Sequence, residues 1–375
     1  MSAPLGCSVA DAAHRAGLRA AGNVDRSLSP ELVRRLDLAV LRGIGALLQP
    51  VIGADPPRAW TGDEVADAFA AAPRHRWILG HWMAALATEG LARRDGEAYR
   101  AGPRIRRRDL AAARRDIRDA PAKLGFPPEL GDYLTRTLGE LPRLLRDEVS
   151  AQALLFPGAD LATAEAVYHR NPVSRYLNAA AATSVRAVLP AGTGRTRVLE
   201  LGAGIGATTA DLLPVLAGRD TDYLYTDLSP FFLDMARERF AAHPFLRFGV
   251  LDFVTDLPGL AGQDPFDLVV AANTAHNAPH VPRLLARIGD LLTPDGVLLL
   301  VETCHEHHQS LTSMPFLLSG GAAPRDTRRG SRRTYLTREE WVAALRDAGM
   351  RVRVDLPPPG DPMGALSQRV ILASR

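Results

Sequence analysis

An apolar segment that runs directly into three alternate glycines constrains this chain more than any other feature. Residues 196–206 read Thr-Arg-Val-Leu-Glu-Leu-Gly-Ala-Gly-Ile-Gly. Gly202, Gly204 and Gly206 have no Cβ atom, so the backbone can turn sharply after a strand and a ligand can lie against the main chain. This stretch therefore predicts a strand, a tight turn that includes Ala203, and a helix, which together form a nucleotide-type cofactor site.

The residues around the turn separate two kinds of cofactor. Dinucleotide sites have the spacing Gly-x-Gly-x-x-Gly and aim a helix N-terminus at a pyrophosphate. This chain has Gly-x-Gly-x-Gly, and Glu200 lies in the strand before the first glycine. A carboxylate there would repel phosphate but suits a cationic amino-acid ligand. S-adenosylmethionine (SAM), with its ammonium and sulfonium groups, fits this description.

Three further segments complete the predicted SAM site. Asp227, followed by Leu228, ends the next predicted strand and is placed to hold a ribose diol. Asp252 and Phe253 follow the third apolar run and offer a carboxylate and a ring to adenine. Asn273 is expected to contact the methionine part of SAM. These features resemble the class I SAM-dependent methyltransferases, with an NAD-type Rossmann domain as the alternative.

The second half of the chain alternates apolar runs with helical segments, which predicts a parallel α/β sheet. Two last strands lie close together with no helix between them, so an antiparallel hairpin would complete the sheet. The expected fold class is α/β, a Rossmann-like class I methyltransferase sheet of seven strands with the last one antiparallel. The predicted strands lie near 197–201, 223–227, 245–251, 267–272, 296–302, 350–356 and 367–373.

Composition and periodicity divide the chain into three regions. Residues 1–30 are rich in Ala and Gly and are expected to form a flexible arm or a short docking helix. Residues 31–150 show helical spacing of apolar residues and predict a mainly helical domain. Residues 151–375 predict the SAM-binding catalytic domain.

The helical domain has the pattern of a winged-helix-like module. Thr61 and Glu64 form a capping-box signature, residues 74–91 predict a longer amphipathic helix, and Asp95-Gly96 is typical of the turn in a short β-wing. In DNA-binding proteins the second helix of such a module reads a major groove. In many small-molecule methyltransferases a similar module forms a dimer interface and covers the substrate pocket. We expect that second role, with a homodimer and no nucleic-acid partner.

The overall composition limits the location and the partners. Of the 375 residues, 46% are hydrophobic, and the net charge is only +3. The arginine-rich segments 104–108 and 325–333 are expected to be solvated surface, with a binding face for an acidic partner as the alternative. Two cysteines, Cys7 and Cys304, are too few for a disulfide scaffold and indicate a reducing, cytoplasmic setting. Neither export nor a membrane span is expected.

Two strand ends supply candidate catalytic groups. The run Phe266 to Ala272 leads to His276, and the run Val297 to Val301 ends at Glu302. These strands are neighbours in a class I sheet, so the two side chains are expected to meet. A carboxylate that accepts from one ring nitrogen leaves the other free to take a proton from a substrate. The alternative is a strand-end acid that caps local backbone, with a loop histidine that points at solvent.

The motifs narrow the resemblance further. Four runs are similar to the C-methyltransferase domains of polyketide synthases and their stand-alone relatives: Leu199-Glu-Leu-Gly-Ala-Gly-Ile-Gly-Ala-Thr-Thr, Tyr225-Thr-Asp-Leu-Ser-Pro-Phe-Phe-Leu, Ala272-Asn-Thr-Ala-His and Leu300-Val-Glu. The resemblance covers about residues 150–350 and implies methylation of the carbon alpha to a thioester carbonyl, with His276 and Glu302 as the dyad. It also implies a lid that contains Tyr168, Arg175, Tyr176 and Asn178.

Two further segments contain candidate binding residues, a histidine run and an arginine-rich insertion. The run His305-Glu-His-His308 lacks the same-face spacing of a helical metal site, so no metal is expected, and these histidines should be solvated or face the substrate. A long insertion before Thr337 could bring an arginine over a carboxylate or phosphate of the substrate, and the candidates are Arg325, Arg328 and Arg329.

The function predicted from these features is SAM-dependent methylation of a small-molecule or carrier-bound intermediate of bacterial specialised metabolism, such as a polyketide or nonribosomal peptide. Carbon alpha to a carbonyl is the favoured acceptor. Methylation of oxygen or nitrogen is the nearest alternative. A second alternative makes SAM itself the substrate of a ring closure that releases methylthioadenosine, with Tyr168, Tyr176 and Asn178 activating its amine. A third is a DNA-binding regulator that senses SAM, against which the nearly neutral net charge argues.

Overall fold

The computed structural model describes residues 8–23, 25–189, 194–260, 262, 264–331 and 333–375. Cys7 and the rest of the first seven residues of the predicted arm lie outside this part of the chain. The helices are α1 (Val9–Ala21), α2 (Ser29–Ile52), α3 (Gly62–Ala68), α4 (Arg76–Thr88), α5 (Arg107–Lys123), α6 (Pro128–Leu145), α7 (Ala151–Leu155), α8 (Ala162–Tyr168), α9 (Pro172–Val188), α10 (Ala207–Leu216), α11 (Pro230–Arg239), α12 (Val281–Leu291), α13 (Met314–Leu318) and α14 (Arg338–Asp347). The strands are β1 (Ala92–Asp95), β2 (Ala98–Ala101), β3 (Thr196–Leu201), β4 (Thr221–Asp227), β5 (Leu246–Val250), β6 (Phe266–Ala272), β7 (Leu292–Thr303), β8 (Arg351–Leu356) and β9 (Gln368–Ser374).

The chain divides into two compact units. The sheet unit contains residues 1–23, 171–305 and 322–375, and the helical unit contains residues 24–170 and 306–321. These boundaries differ from the predicted ones, because residues 151–170 and an excursion after β7 group with the helical unit. Among the described residues, no helix is both long and apolar enough to span a membrane.

The sheet unit contains the predicted seven-stranded sheet. Its strand order is β5-β4-β3-β6-β7-β9-β8. Neighbouring strands from β5 through β7 are parallel, and β9 runs antiparallel to both β7 and β8. Each of the seven strands expected from the apolar runs is present, and the antiparallel hairpin at the end of the chain is confirmed.

The central strands are buried because helices cover the sheet. Side chains from alternate positions of the strands, including Val269, Leu298 and Ile371, join a buried cluster with α12 and α14. Trp341 of α14 is fully buried in this cluster. Helix α9 packs against β7, β8 and β9. Burial on both sides explains why these strands read as almost continuous apolar runs and do not alternate with polar residues.

Helix α1 belongs to the sheet unit and packs along α9. Its Gly17 lies against the ring of Tyr176, and the Tyr176 hydroxyl lies 2.7 Å from His14 Nδ1. His14 Nε2 is 3.4 Å from a carboxylate oxygen of Asp361. Residues 9–21 therefore form a docked helix, which corresponds to the second of the two forms expected for the N-terminal region.

The helical unit contains the predicted helix, helix and wing. Thr61 and Glu64 form the reciprocal capping box at the start of α3. Strands β1 and β2 pair antiparallel around a turn at Gly96, and Trp60 forms a bridge to Tyr99 that extends this small sheet. These elements match the predicted helices and wing, and the winged-helix-like interpretation of the region stays a prediction.

The excursion at 306–321 is held inside the helical unit by polar contacts. The Trp82 indole nitrogen donates to the Leu311 carbonyl at 3.0 Å, and the hydroxyls of Thr137 and Thr312 are 3.1 Å apart. Two histidines of the 305–308 run pair with carboxylates of the helical unit, His307 with Asp37 and His308 with Glu89, and Glu306 of the same run pairs with His81. Their role here is to attach the excursion, and no cluster in the described residues could hold a metal ion.

The contact between α1 and α9 predicts opposite effects for two glycine substitutions. A Cβ at Gly17 would lie 2.6 Å from the Tyr176 ring and 2.8 Å from its carbonyl oxygen, whereas a Cβ at Gly139 in α6 meets nothing within 4 Å. Gly139→Ala should raise the free energy of unfolding by about 0.5–1 kcal/mol, because Ala favours helix. Gly17→Ala should lower it by about 1–3 kcal/mol through overpacking. Equal shifts in urea unfolding curves would contradict the close packing of α1 on α9.

Candidate active site

The turn after β3 has the backbone conformation that its glycines predict. Gly202, Gly204 and Gly206 have φ values of +56°, +58° and +70°, a region that side chains with a Cβ rarely adopt. A Cβ at Gly202 would lie 2.2 Å from the Thr274 hydroxyl, so this glycine also allows the turn to approach the loop after β6. A Cβ at Gly204 would meet nothing within 4 Å, which leaves an open space over the turn.

Asp227 fixes the turn from the end of β4. One of its carboxylate oxygens accepts from the Gly204 amide and the other from the Ser229 amide, both at 2.8 Å. Burial raises the pKa of this carboxyl. The Ala203 amide donates to the Thr226 carbonyl at 2.9 Å. Two backbone amides of the turn, those of Ala203 and Gly204, therefore join it to the end of β4.

Large apolar side chains are exposed at the same edge of the sheet. Leu228 is 65% exposed, Phe231 43% and Val250 63%, and Val250 is the register partner of Asp227. Asp252 and Phe253 follow at the end of β5, and both are half-buried. An apolar surface left open beside a carboxylate fits the adenine and ribose of SAM. The residues present therefore fit the cofactor predicted from the glycine pattern.

Glu200 bonds to neighbouring side chains of the protein, whereas the sequence predicts that it contacts the cofactor. Its Oε2 accepts from the Thr209 hydroxyl at 2.6 Å and from the Tyr223 hydroxyl at 2.8 Å. Burial raises the pKa of the Glu200 carboxyl to about 7. These contacts connect β3 to α10 and β4, so the carboxyl supports the elements around the turn.

The structure brings His276 and Glu302 together. His276 Nδ1 lies 2.7 Å from Glu302 Oε2, and both side chains are buried. Glu302 Oε1 accepts from the amides of Thr274 and Ala275 at 3.1 and 2.8 Å. Because the carboxylate must accept, Nδ1 carries the proton, and Nε2 keeps a lone pair. Nε2 has no hydrogen-bond partner among the described residues.

The loop that carries His276 is also held from its other side. The buried Arg328 donates to the carbonyls of His276 and Ala278 at 2.5 and 2.7 Å. Asp326 pairs with the same guanidinium at 2.8 Å and accepts from the Val281 amide. Arg328 therefore positions the histidine through its backbone. Nothing in the local sequence distinguishes it from the exposed arginines around it.

One residue that contacts this loop, Tyr335, is not predicted by strand or motif patterns. The Tyr335 ring meets the His276 imidazole edge to face, with centroids 4.9 Å apart. Asn273 has a φ of +52°, and its amide donates to the Val301 carbonyl at 2.6 Å. Arg325 is exposed, and its backbone amide donates to the Pro279 carbonyl.

The four predicted lid residues belong to both units, Tyr168 to the helical unit and the other three to the sheet unit. Tyr176 is fully buried against α1, and Asn178 bonds the Thr208 hydroxyl and the Ala207 carbonyl at the start of α10. Arg175 is exposed on α9. Tyr168, half-buried at the end of α8, belongs to the helical unit. Within the sheet unit, Tyr176 and Asn178 therefore have structural contacts.

Comparisons with known proteins agree with this geometry. Residues 199–298 match the family of methyltransferase domains. The chain is 32% identical to pyochelin synthetase PchF of Pseudomonas aeruginosa over 315 residues, which is 79% of this chain and 17% of PchF. It is 32% identical to the polyketide synthase ThaG of Burkholderia thailandensis over 379 residues, which is 97% of this chain and 6% of ThaG. The chain thus spans less than a fifth of either relative.

A solved structure has the same fold over nearly the whole chain. The CurJ carbon methyltransferase superposes with a TM-score of 0.84 at 24% identity, covering 98% of both chains. The family match and the strand order define the class: residues 199–298 match a methyltransferase domain, and the sheet has the strand order of the class I SAM-dependent methyltransferases. Within that class, the chain resembles the carbon methyltransferase domains of polyketide synthases.

Replacement of Gly204 and of Gly202 by Ala should have different effects, because open space lies over Gly204 whereas Thr274 lies against Gly202. Gly204→Ala places a methyl group where the cofactor would lie, so the dissociation constant for S-adenosylhomocysteine should rise at least about tenfold, while left-handed strain costs about 1–2 kcal/mol of stability. Gly202→Ala forces the methyl group into Thr274 and should lower the melting temperature more. Calorimetric titration and thermal unfolding separate the two effects. Unchanged binding by Gly204→Ala would contradict the cradle.

Proposed function

We propose that this protein transfers the methyl group of SAM to the carbon alpha to a thioester carbonyl. The observation that carries the proposal is the buried pair of His276 and Glu302 in the unit that holds the glycine turn, because the His276 Nε2 has no hydrogen-bond partner in the described part of the chain. When bound, SAM supplies an electrophilic methyl group and leaves as S-adenosylhomocysteine. The carbon methyltransferase identity of CurJ and the polyketide synthase identity of ThaG support carbon as the acceptor.

The dyad provides the general base for this reaction. His276 Nε2 takes the acidic proton from the alpha carbon, and the electron pair left on that carbon forms the new bond to the methyl group. Glu302 stabilises the imidazolium that results and keeps the ring in the tautomer with Nδ1 protonated. The imidazolium then returns its proton to solvent. Two backbone amides on Glu302 Oε1 keep the carboxylate from turning away from the ring.

The contacts of the lid residues favour methyl transfer over the ring closure of SAM. That alternative needs free polar groups near the cofactor amine. The Tyr176 hydroxyl is bonded to His14, and the Asn178 side chain is bonded at the start of α10. A cytoplasmic location, a homodimer through the helical unit, and a substrate contact from Arg325 are further proposals that rest on composition and resemblance.

The test uses SAM and acetoacetyl-N-acetylcysteamine, a small thioester with an acidic alpha carbon. Wild-type protein should yield the alpha-methylated thioester and S-adenosylhomocysteine, both measured by mass spectrometry. His276→Ala should lower kcat by about 10²–10⁴, the range for loss of a general base. Glu302→Gln should lower it by a similar factor, because an amide that donates to Nδ1 selects the wrong tautomer.

The matched control is His243→Ala, which removes a histidine in the loop before β5 and should leave turnover unchanged. S-adenosylhomocysteine affinity should change less than about threefold in His276→Ala. Full turnover by His276→Ala, with the protein folded, would exclude this histidine as the base. Release of methylthioadenosine by the wild-type protein would favour the ring-closure reaction instead.

A further inference from the structure

The positive charge of this chain is concentrated in one short segment of the helical unit. Residues 93–123 contain eleven basic and five acidic residues, a net charge of +6, whereas the whole chain has +3. The remaining residues are therefore net negative. The segment consists of the wing (β1 and β2), the loop after it, and α5.

Helix α5 presents five arginines on one side. Its buried residues Ala113, Ile117 and Ala120 lie on the side that packs against α2 and α6. Because residues seven and four apart share a face of a helix, the arginines fall on the other side, in two adjacent rows. We call this exposed surface the basic face; it consists of Arg107, Arg108, Arg114, Arg115 and Arg118.

Most of these guanidinium groups are not neutralised within the chain. Arg107, Arg114, Arg115 and Arg118 have no ion pair with any described residue, and Arg108 only approaches Asp109 at 3.8 Å. Arg35 shows the contrast, because it lies on the neighbouring helix α2 and pairs with Asp116 of α5. Like charges spaced four apart, and cations in the first turn of a helix, both lower helix stability. The basic face therefore costs stability, which points to a role in binding an anionic partner.

The observations favour an acidic protein over a nucleic acid. The helix that would enter a major groove in a winged-helix protein is α4, which is mainly apolar and buried. Its Arg76 is paired with Asp63 and Asp67. The exposed Asp119 lies on the same helix beside the basic face, where it would repel a phosphate backbone but can pair with a cation on a protein.

We propose that the basic face of α5 docks an acidic carrier domain that presents the thioester substrate. The proposal rests on the proposed function, because a thioester acceptor has to be delivered by a carrier or as a free small molecule. Opposite charges on the two surfaces would raise the association rate and make docking sensitive to salt. Docking would then lower KM for the carrier-borne substrate and leave the chemistry of the dyad unaffected.

The test compares Arg114→Glu/Arg118→Glu with Arg351→Glu/Arg353→Glu. Both pairs are exposed and both changes alter the net charge by the same amount, but the second pair lies on β8 of the sheet unit. Each variant is assayed with acetoacetyl-N-acetylcysteamine and with the same acyl group on a phosphopantetheinylated acyl-carrier domain. The α5 variant should lose at least about tenfold in kcat/KM for the carrier substrate alone. The β8 variant should match wild type on both.

Binding to the same carrier domain without its acyl group is measured in parallel, at low and at high salt. Wild type should bind at low salt, and the α5 variant at least about tenfold more weakly. The docking proposal would be overturned if the α5 variant and wild type had equal kcat/KM on the carrier substrate, or if the variant lost equally on both substrates. It would also be overturned if wild type did not bind the carrier domain. Loss of duplex DNA binding in the α5 variant with unchanged carrier kinetics would assign the face to nucleic acid. If neither thioester is methylated, the proposed function has failed, and carrier binding alone decides the docking proposal.

Discussion

The buried carboxylate of Glu302 is the interaction on which the candidate active site depends. It is fully buried at the end of β7, and its two oxygens hold the amides of Thr274 and Ala275 and the imidazole of His276. A buried charge with only one of these partners would be strongly destabilising. With all three, one side chain sets the path of the loop after β6 and the tautomer of the histidine. Arg328 donates to carbonyls of the same loop, so buried side chains bind both the amides and the carbonyls of the loop backbone.

The cofactor turn and the dyad are connected through backbone proximity. Thr274, whose amide Glu302 holds, lies so close to Gly202 that no Cβ would fit between them. A shift of the loop after β6 would therefore disturb the glycine turn, and Asp227 would carry that shift to the end of β4 through the Gly204 amide. The parallel strands bring these three loops to one edge of the sheet, as in other α/β folds. Precise positioning of this kind is the main requirement for transfer between two bound groups.

The sequence predicts the parts of this architecture that local patterns determine. All seven sheet strands follow from apolar runs in the second half of the chain, and the glycine turn follows from its spacing. The meeting of His276 and Glu302 follows from adjacent strand ends. What local patterns cannot show are contacts between distant segments: Tyr176 packs on His14 in α1, the excursion at 306–321 joins the helical unit, and Arg328 folds back on the histidine loop. Each depends on tertiary packing that leaves no periodicity in the sequence.

Exchange of the alpha protons with solvent tests directly whether His276 is the general base, because it isolates proton removal from methyl transfer. Acetoacetyl-N-acetylcysteamine in deuterated buffer, with S-adenosylhomocysteine present, is followed by proton NMR. We expect wild-type protein to accelerate loss of the alpha-proton signal and His276→Ala to lower the accelerated rate by about 10² or more. Equal acceleration by wild type and His276→Ala would contradict the account, since the base would then be a different group.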